Sequence, residues 1–317
     1  MTHFADRLAA AIQAKGNVVC VGLDPRWEAL PVEVQQRHGA ATLAAVAAAF
    51  EEFCGRVLEI VASLVPVVKP QSAFFEACGP EGMAVLQRLL RKARDLRLIT
   101  ILDSKRNDIA STASAYADAA FGGTRLAGRT YPVWEADALT INPYLGRDAV
   151  EPFLASARRI GAGLFVLVRT SNPGAGQFQD LLVSPPPLTP QGGEVGAGVP
   201  PRPLYQHVGE AVATWARENL GKCGLGDVGA VVGATYPSEL AKLRKQLPEV
   251  IFLVPGFGAQ GGTAADVAPA FRPDGLGAII NSSRGILFPF QPDEPRWEER
   301  IEEATRATIS ALASLFP

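Results

Sequence analysis

Cysteine and histidine are scarce in this chain of 317 residues, which holds four of the former and three of the latter. The cysteines stand far apart without a C-x-x-C pair, and each histidine is isolated. This spacing argues against a disulfide framework, a zinc or other metal site, and a histidine-based triad. It predicts reduced, buried thiols in a cytoplasmic protein. The cysteines are Cys20, Cys54, Cys78 and Cys223.

Excess charge and long apolar runs are also missing from the sequence. The formal net charge is −2 and the pI is near 6.0, so we expect no nucleic-acid partner and no anionic membrane surface as partner. No apolar run approaches the roughly 18 residues needed to span a bilayer. Residues 1–7 lack the basic-then-apolar order of a signal peptide and predict an amphipathic helix. The 48% hydrophobic content is typical of a globular protein.

Eight apolar, β-branched segments bounded by turn residues follow one another along the chain. Nearly all are continuous rather than alternating in hydrophobicity, which is typical of strands buried on both faces of a parallel sheet. Helical periodicity separates them. The predicted strands are 17–24, 65–71, 98–105, 138–144, 163–170, 228–235, 251–256 and 277–284. The predicted helices are 42–62, 82–96, 109–121, 147–160, 205–220, 237–246, 263–271 and 294–315.

Polar residues cluster at the carboxyl end of these strands. An α/β barrel places its active site at that rim, whereas a doubly wound open sheet needs functional ends only near its switch point. The pattern therefore predicts a (β/α)₈ barrel in a single domain over residues 1–317. The polar residues are Asp24, Lys69, Asp103, Lys105, Asn142, Thr170, Ser171, Thr235, Gln260 and Arg284.

A Pro/Gly-rich stretch at about residues 173–203 interrupts the alternation. Its composition predicts no regular element, and it is too long for an ordinary connection. It is either a disordered surface insertion or an active-site lid, because it leaves the carboxyl end of the fifth strand. We expect a lid over residues 171–180 with a flexible tract behind it.

The segment Asp103-Ser-Lys105-Arg-Asn-Asp108 follows a buried strand in the pattern D-x-K-x-x-D. Residues two apart on a strand face the same side, so Asp103 and Lys105 are predicted to project together at the strand's end. An exposed ion pair of this kind would contribute less than about 1 kcal/mol. A concentration of opposite charge at a buried strand end instead costs desolvation that packing does not repay, which indicates function.

A glycine-rich loop, Gly256-Phe-Gly-Ala-Gln260-Gly261-Gly262, follows the seventh strand. It matches G-x-G-x-x-G, but it does not open the first βα unit and no acid ends the next strand, so a nicotinamide cofactor is disfavoured. The eighth strand ends at Arg284. Glycine-rich backbone and an arginine after strands seven and eight are how many barrels hold a phosphate. The sequence therefore predicts a phosphorylated substrate.

Two lysines and three carboxylates come from strands one to three and the turn after the third. Each charge stabilises the ionised form of its neighbours, so this array offers no neutral base near pH 7. It suits electrostatic work, in which one anion is repelled and another is stabilised. The five residues are Asp24, Lys69, Asp103, Lys105 and Asp108.

Together these blocks resemble orotidine 5′-phosphate decarboxylase, most closely the longer bacterial subgroup known as type 2. The resemblance runs from the first strand to the eighth and leaves out the Pro/Gly stretch and the terminal helices. Its most specific element is D-x-K-x-x-D-I at the third strand. The other blocks are Val21-Gly-Leu-Asp24-Pro-Arg26, Val68-Lys69-Pro-Gln71, Arg169-Thr-Ser171-Asn-Pro-Gly174 and Pro255-Gly-Phe-Gly-Ala-Gln260-Gly-Gly262.

The resemblance implies decarboxylation of orotidine 5′-monophosphate (OMP) to UMP, without metal or organic cofactor, in a homodimer with shared sites. Lys105 would protonate C6 of the pyrimidine, Asp103 would face the departing carboxylate, and Lys69 would orient Asp103. Asp108 would join the catalytic set and, with Ile109 and Thr112, reach into the partner subunit's site. The substrate-binding residues implied are Asp24, Ile109, Thr112, Asn142, Ser171, Pro255, Gln260, Gly261 and Arg284.

Two other functions stay open at this point. Magnesium-dependent sugar-phosphate lyases or synthases on the same barrel share D-x-K-x-x-D, and there the acids would bind the metal and stabilise an enediolate. A catalytically inactive barrel that binds nucleotides as a regulator is the other alternative. Packing like charges around a ligand gives a pure binder no advantage, which disfavours the second.

Overall fold

A computed structural model of the chain shows a closed barrel of eight parallel strands. It describes residues 2–184, 200–234, 237–258 and 262–315. Each strand pairs with its neighbours in chain order, and the last pairs with the first. The strands are β1 (Val19–Leu23), β2 (Val67–Pro70), β3 (Ile99–Arg106), β4 (Ala138–Ile141), β5 (Gly163–Arg169), β6 (Val228–Val232), β7 (Phe252–Pro255) and β8 (Ala278–Ser282). The predicted fold is confirmed.

Helices surround the barrel, and every predicted helix has a counterpart within a few residues. The α-helices are α1 (Phe4–Lys15), α2 (Val32–His38), α3 (Leu43–Val61), α4 (Ser72–Glu76), α5 (Gly79–Asp95), α6 (Ala110–Ala120), α7 (Arg147–Ile160), α8 (Gly176–Gln179), α9 (Leu204–Arg217), α10 (Pro237–Gln246), α11 (Ala264–Val267), α12 (Arg284–Leu287) and α13 (Trp297–Leu312). Short 3₁₀ turns cover Trp27–Ala29, Pro173–Ala175, Ala268–Ala270 and Ala313–Leu315. Among the described residues, no helix is long and apolar enough to cross a membrane.

The amino end of the barrel is closed by α1. Phe4 packs edge-on against Phe165 of β5, with ring centroids 6.0 Å apart. Gly163 makes this approach possible, because a Cβ there would lie 2.2 Å from the Phe4 ring. The strands are buried and apolar on both faces, and α1 covers their amino ends. The opposite, carboxyl rim is where such a barrel carries its polar functional groups.

The Pro/Gly-rich stretch departs from its prediction at both ends. Its start forms the 3₁₀ turn Pro173–Ala175 and then α8, and an antiparallel pair joins Leu182–Val183 to Arg202–Pro203. The expectation of no regular element is therefore wrong for these residues, because local turns and a two-residue ladder satisfy the backbone despite the proline content. The middle, residues 185–199, lies outside the described residues.

The structure also contains elements that the strand and helix patterns did not indicate. A hairpin of Thr124–Leu126 and Arg129–Tyr131 lies between α6 and β4, and the short helices α2 and α4 lie in connections. All are short, so neither the 3.6-residue nor the 2-residue hydrophobic period has room to repeat within them.

Candidate active site

Asp103 lies at the centre of the carboxyl rim and is bonded on both carboxylate oxygens. The Lys69 ammonium is 2.6 Å from Oδ2 and the Lys105 ammonium is 2.7 Å from Oδ1. Gln71 donates to Oδ2 at 3.0 Å and the Thr140 hydroxyl donates to Oδ1 at 2.8 Å. The predicted projection of Asp103 and Lys105 to one side is confirmed by this contact.

Burial and charge act in opposite directions on this cluster. Burial alone would raise the pKa of Asp103, but the charges of Lys69 and Lys105 outweigh it and hold that pKa well below the usual carboxyl range. Burial alone would lower the pKa of Lys69, but Asp103 and then Asp24 raise it above the ordinary lysine value. Asp103 and Lys69 are therefore both ionised at neutral pH.

A cavity of about 510 Å³ opens beside this cluster. Lys69, Asp103 and Lys105 form one wall, and Ser171 with the lid residues forms another. Those from the predicted lid are Asn172 and Gln179, and the remaining residues that line it are Thr140, Leu167, Thr170, Val231, Leu253 and Pro255. The cavity thus joins a charged wall to a mostly apolar floor, which suits a flat ring that carries an ionic substituent.

A second cleft of about 260 Å³ adjoins the first, since Lys69 and Pro255 line both. It is bounded by Arg284, by Ser283 and by the start of the glycine-rich loop. Gly256 and Gly258 have φ values of 97° and 73°, which favour glycine, and the Gly258 N–H donates to the Gly262 carbonyl at 3.1 Å. Gln260 and Gly261 lie outside the described residues.

The second cleft contains two arginines and one carboxylate that are available to bind a ligand. Arg284 is exposed and makes no ion pair with any described residue. Arg26, which the sequence interpretation left without a role, lines the same cleft and lies over the Phe74 ring. Asp24 has a buried Oδ1 without a hydrogen-bond partner among the described residues. A buried acceptor of this kind needs a donor, which water or a ligand can supply.

The segment predicted to be a lid, residues 171–180, is attached to the end of β5. Gln179 of α8 accepts from the Thr170 N–H at 3.0 Å and donates to the Thr170 hydroxyl at 2.8 Å. Arg169 bonds Asp180 at 3.2 Å and Glu239 at 2.7 Å. The bonds of Gln179 and Asp180 tie α8 to the end of β5, and they bring Gln179, which no sequence pattern singled out, to the cavity.

Four predicted site residues lie outside both clefts. Asp108 accepts at Oδ1 from the Ile109 N–H at 2.8 Å, and Thr112 is exposed on α6. Asn142 uses its Oδ1 to accept from the Tyr144 N–H at 3.0 Å. Within one subunit, therefore, the array of five charges reduces to four, and Asp108 forms no ion pair with another described residue.

Comparison with known proteins identifies the family. The model of the orotidine 5′-phosphate decarboxylase / HUMPS family matches residues 17–187. The chain belongs to that family. It is 47% identical to orotidine 5′-phosphate decarboxylase of Rhodopirellula baltica over 312 residues, covering 96% of this chain and 97% of the relative.

Two further relatives agree over nearly the whole chain. The decarboxylase of Caldicellulosiruptor bescii is 37% identical over 321 residues, with 98% of this chain and all of the relative covered. The solved structure of the Leishmania donovani OMP decarboxylase superposes with a TM-score of 0.71 at 32% identity, covering 99% of this chain and 98% of the other. The family resemblance read from the sequence blocks is confirmed.

Proposed function

We propose that the chain decarboxylates OMP to UMP and CO₂, with Lys105 as the proton donor. The observation that carries the proposal is the buried Asp103 carboxylate held between the Lys69 and Lys105 ammonium groups at 2.6 and 2.7 Å. The cavity beside it, of about 510 Å³, has room for a pyrimidine, and the adjoining cleft offers Arg284 and glycine-rich backbone for a phosphate. The family membership supports the same reaction.

In this proposal, decarboxylation generates a carbanion at C6, and the Lys105 ammonium stabilises it. The bond from C6 to the carboxylate breaks, CO₂ leaves, and the electron pair stays on C6 in the plane of the ring. Ring π electrons cannot delocalise that pair, so a fixed ammonium at C6 stabilises the transition state more than the substrate. Lys105 then passes a proton to C6 and recovers one from solvent, which the half-exposed side chain can reach.

Asp103 contributes by its position and charge. A carboxylate next to the substrate carboxylate raises the energy of the bound substrate, and the repulsion is relieved as CO₂ departs. The same carboxylate fixes the two ammonium groups. In this proposal Asp24, whose Oδ1 has no partner among the described residues, binds a ribose hydroxyl, and Ser171, which lines the cavity, binds the amide edge of the pyrimidine.

The reaction needs no metal in this proposal. Both oxygens of Asp103 are engaged by ammonium groups, and these positive charges repel a divalent cation. The test is to treat the protein with excess chelator, supply OMP, and quantify UMP and CO₂. We expect equal amounts of both at the untreated rate. Loss of activity with chelator, restored by Mg²⁺, would favour the metal-dependent alternative instead.

Arg284→Ala is expected to raise KM for OMP by about 10- to 100-fold, because a charged hydrogen bond to the phosphate is lost. The phosphate-free nucleoside orotidine should be turned over equally by Arg284→Ala and the wild type. Arg306→Ala, which removes an exposed ion pair with Glu302 on α13, is the matched control. Steady-state kinetics with both substrates checks this. An equal loss with orotidine would contradict a phosphate role.

The homodimer is also part of the proposal, and exposed apolar side chains beside the site support it. Ile109 follows β3 and is 55% exposed, and Tyr144 follows β4 and is 86% exposed. The two strand ends are neighbours, since the Asn142 N–H donates to the Arg106 carbonyl at 3.0 Å. Exposed apolar side chains close together at the rim support an interaction surface there. A second copy of the chain bound at this surface would accept Asp108 into its own site. Asp108 is available for this because it lies outside the clefts of the subunit that carries it.

A complementation experiment tests the shared site. Lys105→Ala and Asp108→Asn are each expected to be inactive alone. Mixed dimers would carry one intact site and one doubly altered site, so random exchange should restore about a quarter of wild-type activity. Activity is measured after the two variants are unfolded and refolded together, with each refolded alone as control. No recovery from a mixture shown by mass to contain heterodimers would contradict shared sites.

The cytoplasm is the compartment we propose. All four cysteines are free thiols, and three of them are buried, which fits a reducing compartment.

A further inference from the structure

Thr140 of β4 makes three hydrogen bonds at the centre of the site, although the reaction requires no contact between it and the substrate. Its hydroxyl donates to Asp103 Oδ1 at 2.8 Å and accepts from the N–H groups of Ser104 at 3.0 Å and Lys105 at 2.9 Å. A hydroxyl has one donor and two acceptor positions, so all of its capacity is used. The residue is only 1% exposed.

These contacts fill a gap in the ladder between β3 and β4. Leu102 is opposite Leu139 and Arg106 is opposite Ile141, so four residue steps on β3 face two on β4. The extra residues form a bulge that contains Asp103, Ser104 and Lys105. Bulges next to active sites re-aim side chains, and they leave backbone donors without ladder partners.

The bulge is also conformationally demanding at Lys105. Its φ is 49°, in the left-handed region that a lysine rarely adopts. Such a conformation costs about 1–3 kcal/mol and persists only where the surroundings fix it. The Lys105 N–H is held by the Thr140 hydroxyl, so this hydroxyl holds the lysine in that conformation.

We infer that Thr140 is a positioning residue, whose hydroxyl aims the Lys105 ammonium at the reacting carbon by fixing both the bulge and Asp103. The inference rests on the proposed function. Without the hydroxyl, the N–H groups of Ser104 and Lys105 lose this acceptor and Oδ1 of Asp103 keeps only the Lys105 ammonium, so Lys105 is free to leave its left-handed conformation. A displacement of about 1 Å in a catalytic group costs about 100-fold in rate.

Thr100 supplies a matched control at the opposite end of β3. Its hydroxyl donates to Asp137 Oδ2 at 3.0 Å and accepts from the Asp137 N–H at 3.1 Å, and the residue is 1% exposed. It is thus an equally buried threonine with an equivalent carboxylate contact, but it lies at the end of the barrel away from the clefts.

The experiment compares Thr140→Val, Thr140→Ser and Thr100→Val with the wild type in OMP turnover and UMP binding. Thr140→Val should lower kcat by about 100-fold and leave KM and UMP affinity within about threefold, because phosphate binding is untouched. Thr140→Ser should recover most of the rate. Thr100→Val should lose thermal stability while it keeps kcat.

The outcomes separate the two proposals. If the wild type does not convert OMP, the proposed function fails. If the wild type is active but Thr140→Val keeps its kcat, or Thr140→Ser is as slow as Thr140→Val, the positioning role is overturned. Should Thr140→Val yield no folded protein, Thr140→Ala, which adds no second methyl group in place of the hydroxyl, is measured against the same expectations.

Discussion

Lys105→Ala is expected to abolish OMP turnover, with a loss in kcat of at least about 10⁴-fold. The variant removes both the charge that stabilises the C6 carbanion and the proton that quenches it. The Lys105 side chain is half exposed in the wild type, so its removal leaves no buried cavity. In the variant, Asp103 keeps the partners Lys69, Gln71 and Thr140. The fold should therefore survive. Single-turnover assays with enzyme in excess over OMP measure the residual rate.

The control for this variant is Lys92→Ala, which removes an exposed lysine paired with Glu59 on the outside of the barrel. It should match the wild type in rate. Lys105→Ala should still bind UMP and show the wild-type circular dichroism spectrum. A folded Lys105→Ala protein that turns OMP over within tenfold of the wild-type rate would exclude Lys105 as the proton donor.

Asp103→Asn is expected to have the second largest effect, because it acts on rate and stability together. The two lysines lose the carboxylate that pairs them, and Lys69 is left buried beside an amide. Removing one partner of a buried pair costs about 3–5 kcal/mol in the free energy of unfolding. We expect kcat to fall by about 10³-fold, since the lysine geometry and the repulsion of the substrate carboxylate are both lost.

The pH dependence of stability should change in a defined direction. The pKa of Asp103 is lowered in the folded protein, so its ion pairs add stability above the ordinary carboxyl value. That contribution is lost as the pH falls through the lowered pKa. The pKa of Lys69 is raised, so its contribution is lost only as the pH rises through the raised value. Asp103→Asn should remove the first dependence and weaken the second, because Asp24 still acts to raise the pKa of Lys69.

Urea unfolding from acid to alkaline pH measures this change. Asp137→Asn is a matched control, because Asp137 is also paired with an arginine and bonded to a threonine, at the amino end of the barrel. It should lose stability and keep kcat. An Asp103→Asn protein with wild-type stability at neutral pH would contradict the energetic account of the cluster.

The barrel could be predicted from the sequence because its strands are buried on both faces. Continuous apolar runs such as the one before Asp103 leave a strong signal, and all eight strands match a predicted segment. The hairpin at Thr124–Tyr131 and the helix at Gly176–Gln179 are too short to show a period. Their formation depends on tertiary contacts, such as the bonds from Gln179 to Thr170, which one sequence does not reveal.

The charged part of the site was predictable, and its uncharged supports were not. Asp103, Lys69 and Lys105 stand out because charges at the ends of apolar strands are costly. Thr140 in β4 and Gln71 directly after β2 carry no charge and are ordinary residues by composition. Thr140 nevertheless interrupts an apolar run, and Gln71 is two residues after Lys69 on the same strand face, so both offered a weak signal. The bulge that brings Thr140 to Lys105 offered none.

The most direct test of the central claim is the fate of C6 when OMP is decarboxylated in D₂O by the wild-type protein with excess chelator. The product UMP is then examined by proton NMR. The account predicts full turnover without metal and one deuterium at C6, since the Lys105 ammonium exchanges with solvent before it protonates the carbanion. Protium at C6, or turnover only after a divalent metal is added, would contradict it.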